Sequence, residues 1–347
     1  MMNNSALRIG VLGCANIARQ FVRDLDGSPK VIVLAAASRR LESALEFSKT
    51  FGLDRSYGSY EALLADAELD AVYIPLPNSL HAEWAIKAAE AGKHVLCEKP
   101  LALNLQQAKD MFDVARSNRV MLLEAFPYAF QPQTGAMLKL LQDGAVGDVR
   151  SVQACFGFTL ANPDGNIRLN PDLGGGALLD AGSYALSITR LVMGCAPVAV
   201  MADASWTDSG VDISTMATLY YADGRRAQLS CAMNAANHRR ATIVGSAGTL
   251  ETEYLNHTSA QVGDSPYGYL PSQLRVRRGT ANTVAFEEIK CASGSGFRFA
   301  AEAFADLVSA GDFTTINQLA QASLDNAATL EAMARSSRLG ERFAVAI

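Results

Sequence analysis

Residues 94–103 read His94-Val95-Leu96-Cys97-Glu98-Lys99-Pro100-Leu101-Ala102-Leu103. The stretch opens as a short apolar run of the kind that fills a buried parallel strand. It ends abruptly in a charged pair locked by a proline. Charges that close a buried strand cost free energy unless they are used or paired. In open parallel sheets, ligands sit outside the carboxyl ends of the strands. Lys99 is therefore the first candidate for chemistry, with Glu98 beside it.

Working outward, the same grammar repeats on both sides. Upstream, the strand Ala71-Val72-Tyr73-Ile74 closes on Pro75-Leu76-Pro77-Asn78. A helix over about 79–91 follows, with His81 in its first turn and Gly92 at its C-cap position. Downstream, a helix over about 104–117 leads to a strand at 120–126 that carries Glu124. Further out lie strands at 7–13 and 31–37 and helices running through Leu25, over 41–51 and over 59–66. Strands alternating with helices of this length predict an α/β, Rossmann-type, doubly wound parallel sheet with helices on both faces. Pro75, Asn78, Lys99 and Glu124 all fall at strand carboxyl ends, so they should line one crevice.

The first turn is the phosphate candidate. Gly13-Cys14-Ala15-Asn16-Ile17-Ala18 reads G-x-A-x-x-A where a dinucleotide fingerprint has G-x-G-x-x-G/A. Gly13 supplies the tight turn and Ala18 lets helix and strand pack closely, while the Ala15 methyl sits where the backbone should approach a pyrophosphate. A ribose 2′-hydroxyl is normally met at the end of the second strand by Asp or Glu. Here Ser38-Arg39-Arg40 stands instead, a hydroxyl and two guanidiniums suited to a 2′-phosphate. That favours NADP(H) over NAD(H).

After Pro127 the periodicity changes. A helix at about 132–143 gives way to strand-like alternation at 149–160, 197–207, 212–222, 225–235, 239–246, 249–254, 274–277 and 283–289. Successive strands with few intervening helices predict a C-terminal α+β domain built on an open, mainly antiparallel sheet. Helices at about 173–193, 298–310 and 317–338 should cover one face. The other face is left to dock a second copy, which gives the expectation of a homodimer or homotetramer. The expected domains are 1–127 and 128–347. The segment Leu173-Gly174-Gly175-Gly176-Ala177-Leu178-Leu179-Asp180-Ala181-Gly182-Ser183-Tyr184 stands apart. Its glycines allow close backbone approach to a ligand or to the other domain. Asp180 and Tyr184, four apart on a helix, share one face. Burying both demands a polar partner.

Composition excludes several classes. The chain has 347 residues, 49% hydrophobic and 19% charged, with a net charge of −5 and no basic run. Nucleic acid is thus an unexpected partner. No apolar run approaches the ~20 residues of a membrane helix, and the first residues leave no room for a signal peptide. Six scattered cysteines without a C-x-x-C pair read as reduced thiols, and the four histidines show no i, i+4 pairing. The expectation is a cytoplasmic protein without a metal site.

The glycine loop at 13–18, Pro75-Leu76-Pro77-Asn78 with His81, Gly92-Lys-His-Val-Leu-Cys-Glu-Lys-Pro100 and Gly174-Gly-Gly-Ala-Leu-Leu-Asp180-Ala-Gly-Ser-Tyr184 together resemble the glucose–fructose oxidoreductase / inositol dehydrogenase / rhizopine catabolism (Gfo/Idh/MocA) family. Many members carry a histidine where this chain has Tyr184. The tyrosine form resembles NADP-dependent aldose (xylose) dehydrogenases, dihydrodiol dehydrogenases and nucleotide-sugar 3-ketoreductases, as does Gly165-Asn-Ile-Arg168. The resemblance implies hydride transfer between NADP(H) and a sugar or sugar-like carbon, and a cis peptide bond at Lys99–Pro100. It also implies roles: Tyr184 as acid/base with Lys99 as supporting cation, and Asp180 orienting the substrate or Lys99. Asn166 and Arg168 would touch substrate beside Asp180 and Tyr184. Gly13, Cys14, Ala15, Asn16, Ile17, Ser38, Arg39, Arg40, Pro75, Leu76, Asn78, His81, Glu98 and Lys99 would hold the cofactor. Two alternatives stand beside this: a keto-reductase of a nucleotide-linked deoxysugar, and a non-catalytic NADP-binding regulator of a sugar pathway. Relatives often read Tyr-Arg-Phe-His-Pro where this chain has Tyr128-Ala129-Phe130-Gln131-Pro132. The missing basic residues leave the substrate open.

Overall fold

A computed structural model describes residues 6–253 and 273–347. The chain forms two compact units. One takes the described residues up to Ala102 together with Gln106–Ala125 and Phe297–Ser323. The other takes Leu103–Leu105, the described parts of Phe126–Gly296, and Leu324–Ile347.

The first unit alternates strands and helices: β1 (Leu7–Leu12), α1 (Asn16–Asp24), β2 (Val31–Ala37), α2 (Leu41–Phe51), β3 (Arg55–Tyr57), α3 (Tyr60–Leu64), β4 (Ala71–Ile74), α4 (His81–Glu90), β5 (His94–Glu98), α5 (Leu105–Ser117) and β6 (Leu122–Ala125). All six strands are parallel, in the order β3-β2-β1-β4-β5-β6. The order reverses between β1 and β4, so the loops leaving those two strands diverge and open a crevice at their carboxyl ends. The strands are almost wholly apolar because helices cover both faces. Ile9, Val11, Val72, Ile74, Val95 and Leu96 are fully buried, and Phe21 of α1 stacks on Tyr73 of β4 at 3.8 Å. Strand β3 has no counterpart in the sequence reading. It is a three-residue edge strand held by β2 and by Arg55, which pairs with Asp66 and Glu68. A strand so short carries no alternation to detect.

The second unit is built on α6 (Pro132–Gln142), β7 (Val149–Thr159), α7 (Ser183–Met193), β8 (Ala199–Trp206), β9 (Asp212–Tyr220), β10 (Arg226–Ala232), β11 (Asn234–Gly245), β12 (Gly248–Glu253), β13 (Leu274–Arg278) and β14 (Glu287–Ile289). After α8 (Gly296–Ala310), the chain continues into α9 (Phe313–Leu339) and β15 (Phe343–Ala344). Nine strands run in the order β14-β13-β12-β11-β7-β10-β9-β8-β15. Every neighbouring pair is antiparallel except β7 and β10, which run parallel. Alternate residues Val152, Ala154, Ala217, Leu219, Leu229, Cys231, Ala241 and Ile243 share one core with Ala185 and Ile188 of α7 and Leu330 and Met333 of α9. The intervening positions face away, with Met216 70% exposed.

Two corrections follow. Helix α8, expected over the second sheet, belongs to the first unit: Glu302 accepts from Ser28, Asp306 pairs with Lys30, and Phe297 meets Phe21 edge-on. An amphipathic pattern states that a helix has a buried face, and not which sheet buries it. The segment 173–193 is also not one helix. A 3-10 turn at Pro171–Leu173 and the glycine run precede a π-helical turn at Leu178–Gly182, which leads into α7.

Candidate active site

A cleft of about 590 Å³ lies at the carboxyl ends of β1, β2 and β4. It gathers Gly13, Cys14, Ala15, Ser38, Arg39, Arg40, Pro75 and Leu76 of the expected cofactor set, and adds Ser43 and Tyr60, which the motif reading did not include. Gly13 has φ +115°, and a Cβ there would lie 2.9 Å from the Leu76 side chain. Only glycine keeps that turn. Ala15 is extended, with φ −69° and ψ 164°, so its methyl brings no backbone strain. The N-cap residue Ala15 has no side chain that could cap α1, and no other side chain caps it among the described residues; the helix starts at Asn16 with Ile17 in its first turn. Its first N–H groups and its dipole are thus left for an anion. At the end of β2, the Ser38 hydroxyl accepts from the Arg40 N–H. Arg39 and Arg40 are exposed, and neither has an ion pair among the described residues. These groups fit a dinucleotide bearing a 2′-phosphate.

The Lys99 turn is built differently. The Lys99–Pro100 peptide bond is cis, as the resemblance implied. Lys99 itself is half-buried. Glu98 is buried and accepts a 2.7 Å hydrogen bond from the Tyr73 hydroxyl. Asn78 opens a 3-10 turn, Asn78–Leu80, that leads into α4. His81 needs correction as a cofactor ligand. Its ring is fully buried, with Nδ1 2.8 Å from the Pro100 carbonyl oxygen and Nε2 2.8 Å from that of Leu76. Both nitrogens are committed to backbone, and burial pushes its pKa down. Glu124 is likewise buried. Oε1 accepts from the Leu101 N–H at 2.9 Å, while Oε2 has no hydrogen-bond partner among the described residues. Burial pushes this carboxyl up to about 7 against the pull of Ser323, the Leu101 N–H and Lys99. Its position at a strand end was legible; its buried carboxyl was not.

In the second unit, Tyr184 is 6% exposed. It stacks on Phe156 at 4.8 Å and meets Phe126 edge-on at 5.6 Å. Arg168 donates from Nε to Asp180 at 2.6 Å. Its guanidinium is held charged first by Asp180, with Tyr184 adding to the effect against desolvation. Arg168 and Asp180 thus form an ion pair whose charge reaches Tyr184, whereas Asn166 spends its amide on its own loop, accepting from the Arg168 N–H and donating to the Asn162 carbonyl. The glycine run also serves its own unit. Gly176 has φ +118°, and a Cβ there would lie 2.2 Å from Asp212 Oδ1. Asp212 accepts from the Leu178 N–H and the Thr215 hydroxyl, so it satisfies the start of the π turn. No local pattern marks Asp212, because the helix it caps lies 34 residues away in sequence.

A family described as oxidoreductases with an NAD-binding Rossmann fold matches residues 7–126, and the GFO/IDH/MocA C-terminal domain matches residues 135–251. The D-xylose 1-dehydrogenase (NADP⁺) 2 of Haloferax volcanii is 38% identical over 245 residues, 71% of this chain and 75% of that protein. A dTDP-3,4-didehydro-2,6-dideoxy-α-D-glucose 3-reductase of Actinomadura kijaniata is 44% identical over 193 residues, 55% of this chain and 58% of that one. The crystal structure of a 3-ketoreductase from Actinomadura kijaniata, in complex with NADP and TDP-benzene, superimposes with a TM-score of 0.85 at 33% identity. That match covers 95% of this chain and 98% of the other.

Proposed function

This chain belongs to the Gfo/Idh/MocA oxidoreductase family, and from that premise we propose that it is an NADP(H)-dependent dehydrogenase of a free aldose or dihydrodiol. It is a sugar-type oxidoreductase, and NADP(H) is its cofactor. When bound, the cofactor supplies hydride exchange at the nicotinamide. The uncapped start of α1 would hold the pyrophosphate, and Ser38, Arg39 and Arg40 the 2′-phosphate. Pro75, Leu76, Asn78, Glu98 and Lys99 would line the rest.

Tyr184 takes the proton from the reacting hydroxyl, or returns it to the carbonyl. A phenol with a reference pKa of ~10 serves near neutrality only where cations stabilise the phenolate. Arg168, oriented by Asp180, is one such cation beside Tyr184; Lys99 is assigned as a second. The observation that carries this reading is the buried Tyr184 phenol, one helical turn from an Asp180 carboxylate that holds the Arg168 guanidinium at 2.6 Å. Asn166 is left as a loop-shaping residue. The protein is further proposed to act in the cytoplasm as a homodimer or homotetramer through the exposed sheet face.

A second reading, reduction of a nucleotide-linked keto-deoxysugar, is favoured by the overlap with the ketoreductase crystallised with TDP-benzene. The test is NADP⁺ reduction, followed by NADPH absorbance, against free aldoses, inositols and dihydrodiols, with NAD⁺ in parallel. Turnover on a free sugar or diol with NADP⁺ is expected. Preference for NAD⁺ would remove the 2′-phosphate assignment. Silence on this panel with turnover of a dTDP-linked keto sugar and NADPH would select the second reading.

A further inference from the structure

The peptide unit that follows Lys99–Pro100 is gripped at both ends. Its carbonyl, on Pro100, lies 2.8 Å from His81 Nδ1, and its N–H, on Leu101, donates to Glu124 Oε1 at 2.9 Å. The two gripping side chains come from different elements, α4 and β6, and are 0% and 6% exposed. The other nitrogen of His81 reaches the Leu76 carbonyl, so the same ring ties the Lys99 turn to the loop after β4. We propose that His81 and Glu124 are positioning residues that clamp the Pro100–Leu101 peptide, and that Glu124 does so as a neutral acid, which leaves the Lys99 charge directed to the reaction.

The second carboxyl oxygen carries the argument. Glu124 Oε2 is buried and has no hydrogen-bond partner among the described residues. An anion left that way loses its hydration without replacement, whereas a neutral carboxyl loses far less. The charged and titratable groups that act on it are Lys99 and Glu98 at the end of β5 and the Cys97 thiol, which is paired with Glu124 across the strands. Glu98 opposes ionisation of Glu124 and Lys99 favours it. Burial, with Glu98 on its side, outweighs the Ser323 hydroxyl, the Leu101 N–H and Lys99, and leaves the carboxyl near neutrality, at about 7. Once Glu124 ionises, the carboxylate becomes the buried partner for the nearby ammonium. Lys99 is then drawn toward the clamp and away from its work.

The consequence for turnover rests on the role given to Lys99 above; the proton on Glu124 does not. Two variants separate the parts. Glu124→Gln keeps an acceptor for the Leu101 N–H and cannot ionise. Glu124→Leu removes the acceptor at similar volume. Infrared difference spectra of the whole protein across neutral pH should show a protonated-carboxyl band that titrates in the wild type and is missing in Glu124→Gln. With the substrate found by the panel, Glu124→Gln should keep kcat within about threefold at mildly acidic pH. The ratio of its kcat/KM to the wild-type value should rise as pH passes neutrality. Glu124→Leu should lose about tenfold or more in kcat while its Kd for NADPH stays within about twofold. A band that is absent from the wild type, or that persists in Glu124→Gln, overturns the proposal, as does a flat ratio or a Glu124→Leu variant with wild-type kcat. The infrared measurement needs no substrate. A silent panel with the band in place would therefore count against the function proposed above and leave the neutral Glu124 standing.

Discussion

Tyr184 and Glu124 show how a single residue takes its chemistry from what surrounds it. The phenol of Tyr184 sits among Phe126, Phe156 and Tyr128, with the Arg168 charge acting on it. Removing the hydroxyl in Tyr184→Phe leaves the aromatic packing intact and deletes the proton carrier. Its kcat should fall by roughly 10²–10⁴ while NADPH affinity, measured by fluorescence titration, stays put. Retained turnover would take Tyr184 out of the mechanism. For Glu124, burial raises the carboxyl to about 7 in the folded chain, from an unfolded value of about 4.3. The folded state therefore holds its proton more tightly. The stability this brings is complete below the unfolded value and is lost as pH climbs through the folded one. Glu124→Gln does not titrate. Its stability relative to the wild type should therefore improve by about 3 kcal/mol between about pH 4 and pH 8, read as urea midpoints across pH. Parallel pH curves for the two proteins would contradict the assignment.

At the scale of elements, the segment 171–193 departs most from its sequence pattern. Glycines at 174–176 and apolar residues beyond them suggest a loop opening one helix, with the backbone free to approach a ligand or the other domain. The observed segment instead folds onto its own unit. A Cβ at Gly175 would lie 2.5 Å from the Arg168 carbonyl oxygen, so the glycine lets the chain pass over its own preceding turn. The π turn at Leu178–Gly182 is held at its start by Asp212. Such turns are frequent at functional sites because they re-aim side chains within a helix. Asp212→Ala would leave the buried Leu178 N–H without that acceptor, at a cost of about 2 kcal/mol. Urea unfolding should report that loss, together with a fall in kcat through displaced Asp180 and Tyr184. An unchanged midpoint would show the cap to be dispensable.

For the whole molecule, the open face of the nine-stranded sheet decides what an isolated chain would present to solvent. A depression of about 590 Å³ on it is lined by Cys155, Met201, Met216, Gln228, His238 and Arg240 among others. Met216 and Met201 are exposed there. Exposed apolar side chains among polar ones on a sheet face suit a protein–protein contact. If two copies meet through this face, Met216→Glu places a charge where an exposed apolar side chain would be buried and should convert the oligomer to monomer. Analytical ultracentrifugation reads this directly. An unchanged sedimentation coefficient, or a wild type that is already monomeric, would reject the sheet face as the interface.

The alternation of the first unit, the strand ends that carry Lys99, Ser38 and Pro75, the strand-rich second unit and the family were all legible along the chain. Those features are local: period, turn glycines and charges that close apolar runs are all written within a few residues. The identity of the Arg168–Asp180–Tyr184 group was half legible, since helical spacing joined two of its members and only a motif suggested the third. Relations across long separations emerged only on folding. They include α8 packing with the first unit, the Asp212 cap, His81 turned wholly to backbone and the Glu124 oxygen that has no hydrogen-bond partner among the described residues. Each depends on which side chains are driven together when water is expelled, and that is a property of the packed chain rather than of any stretch within it.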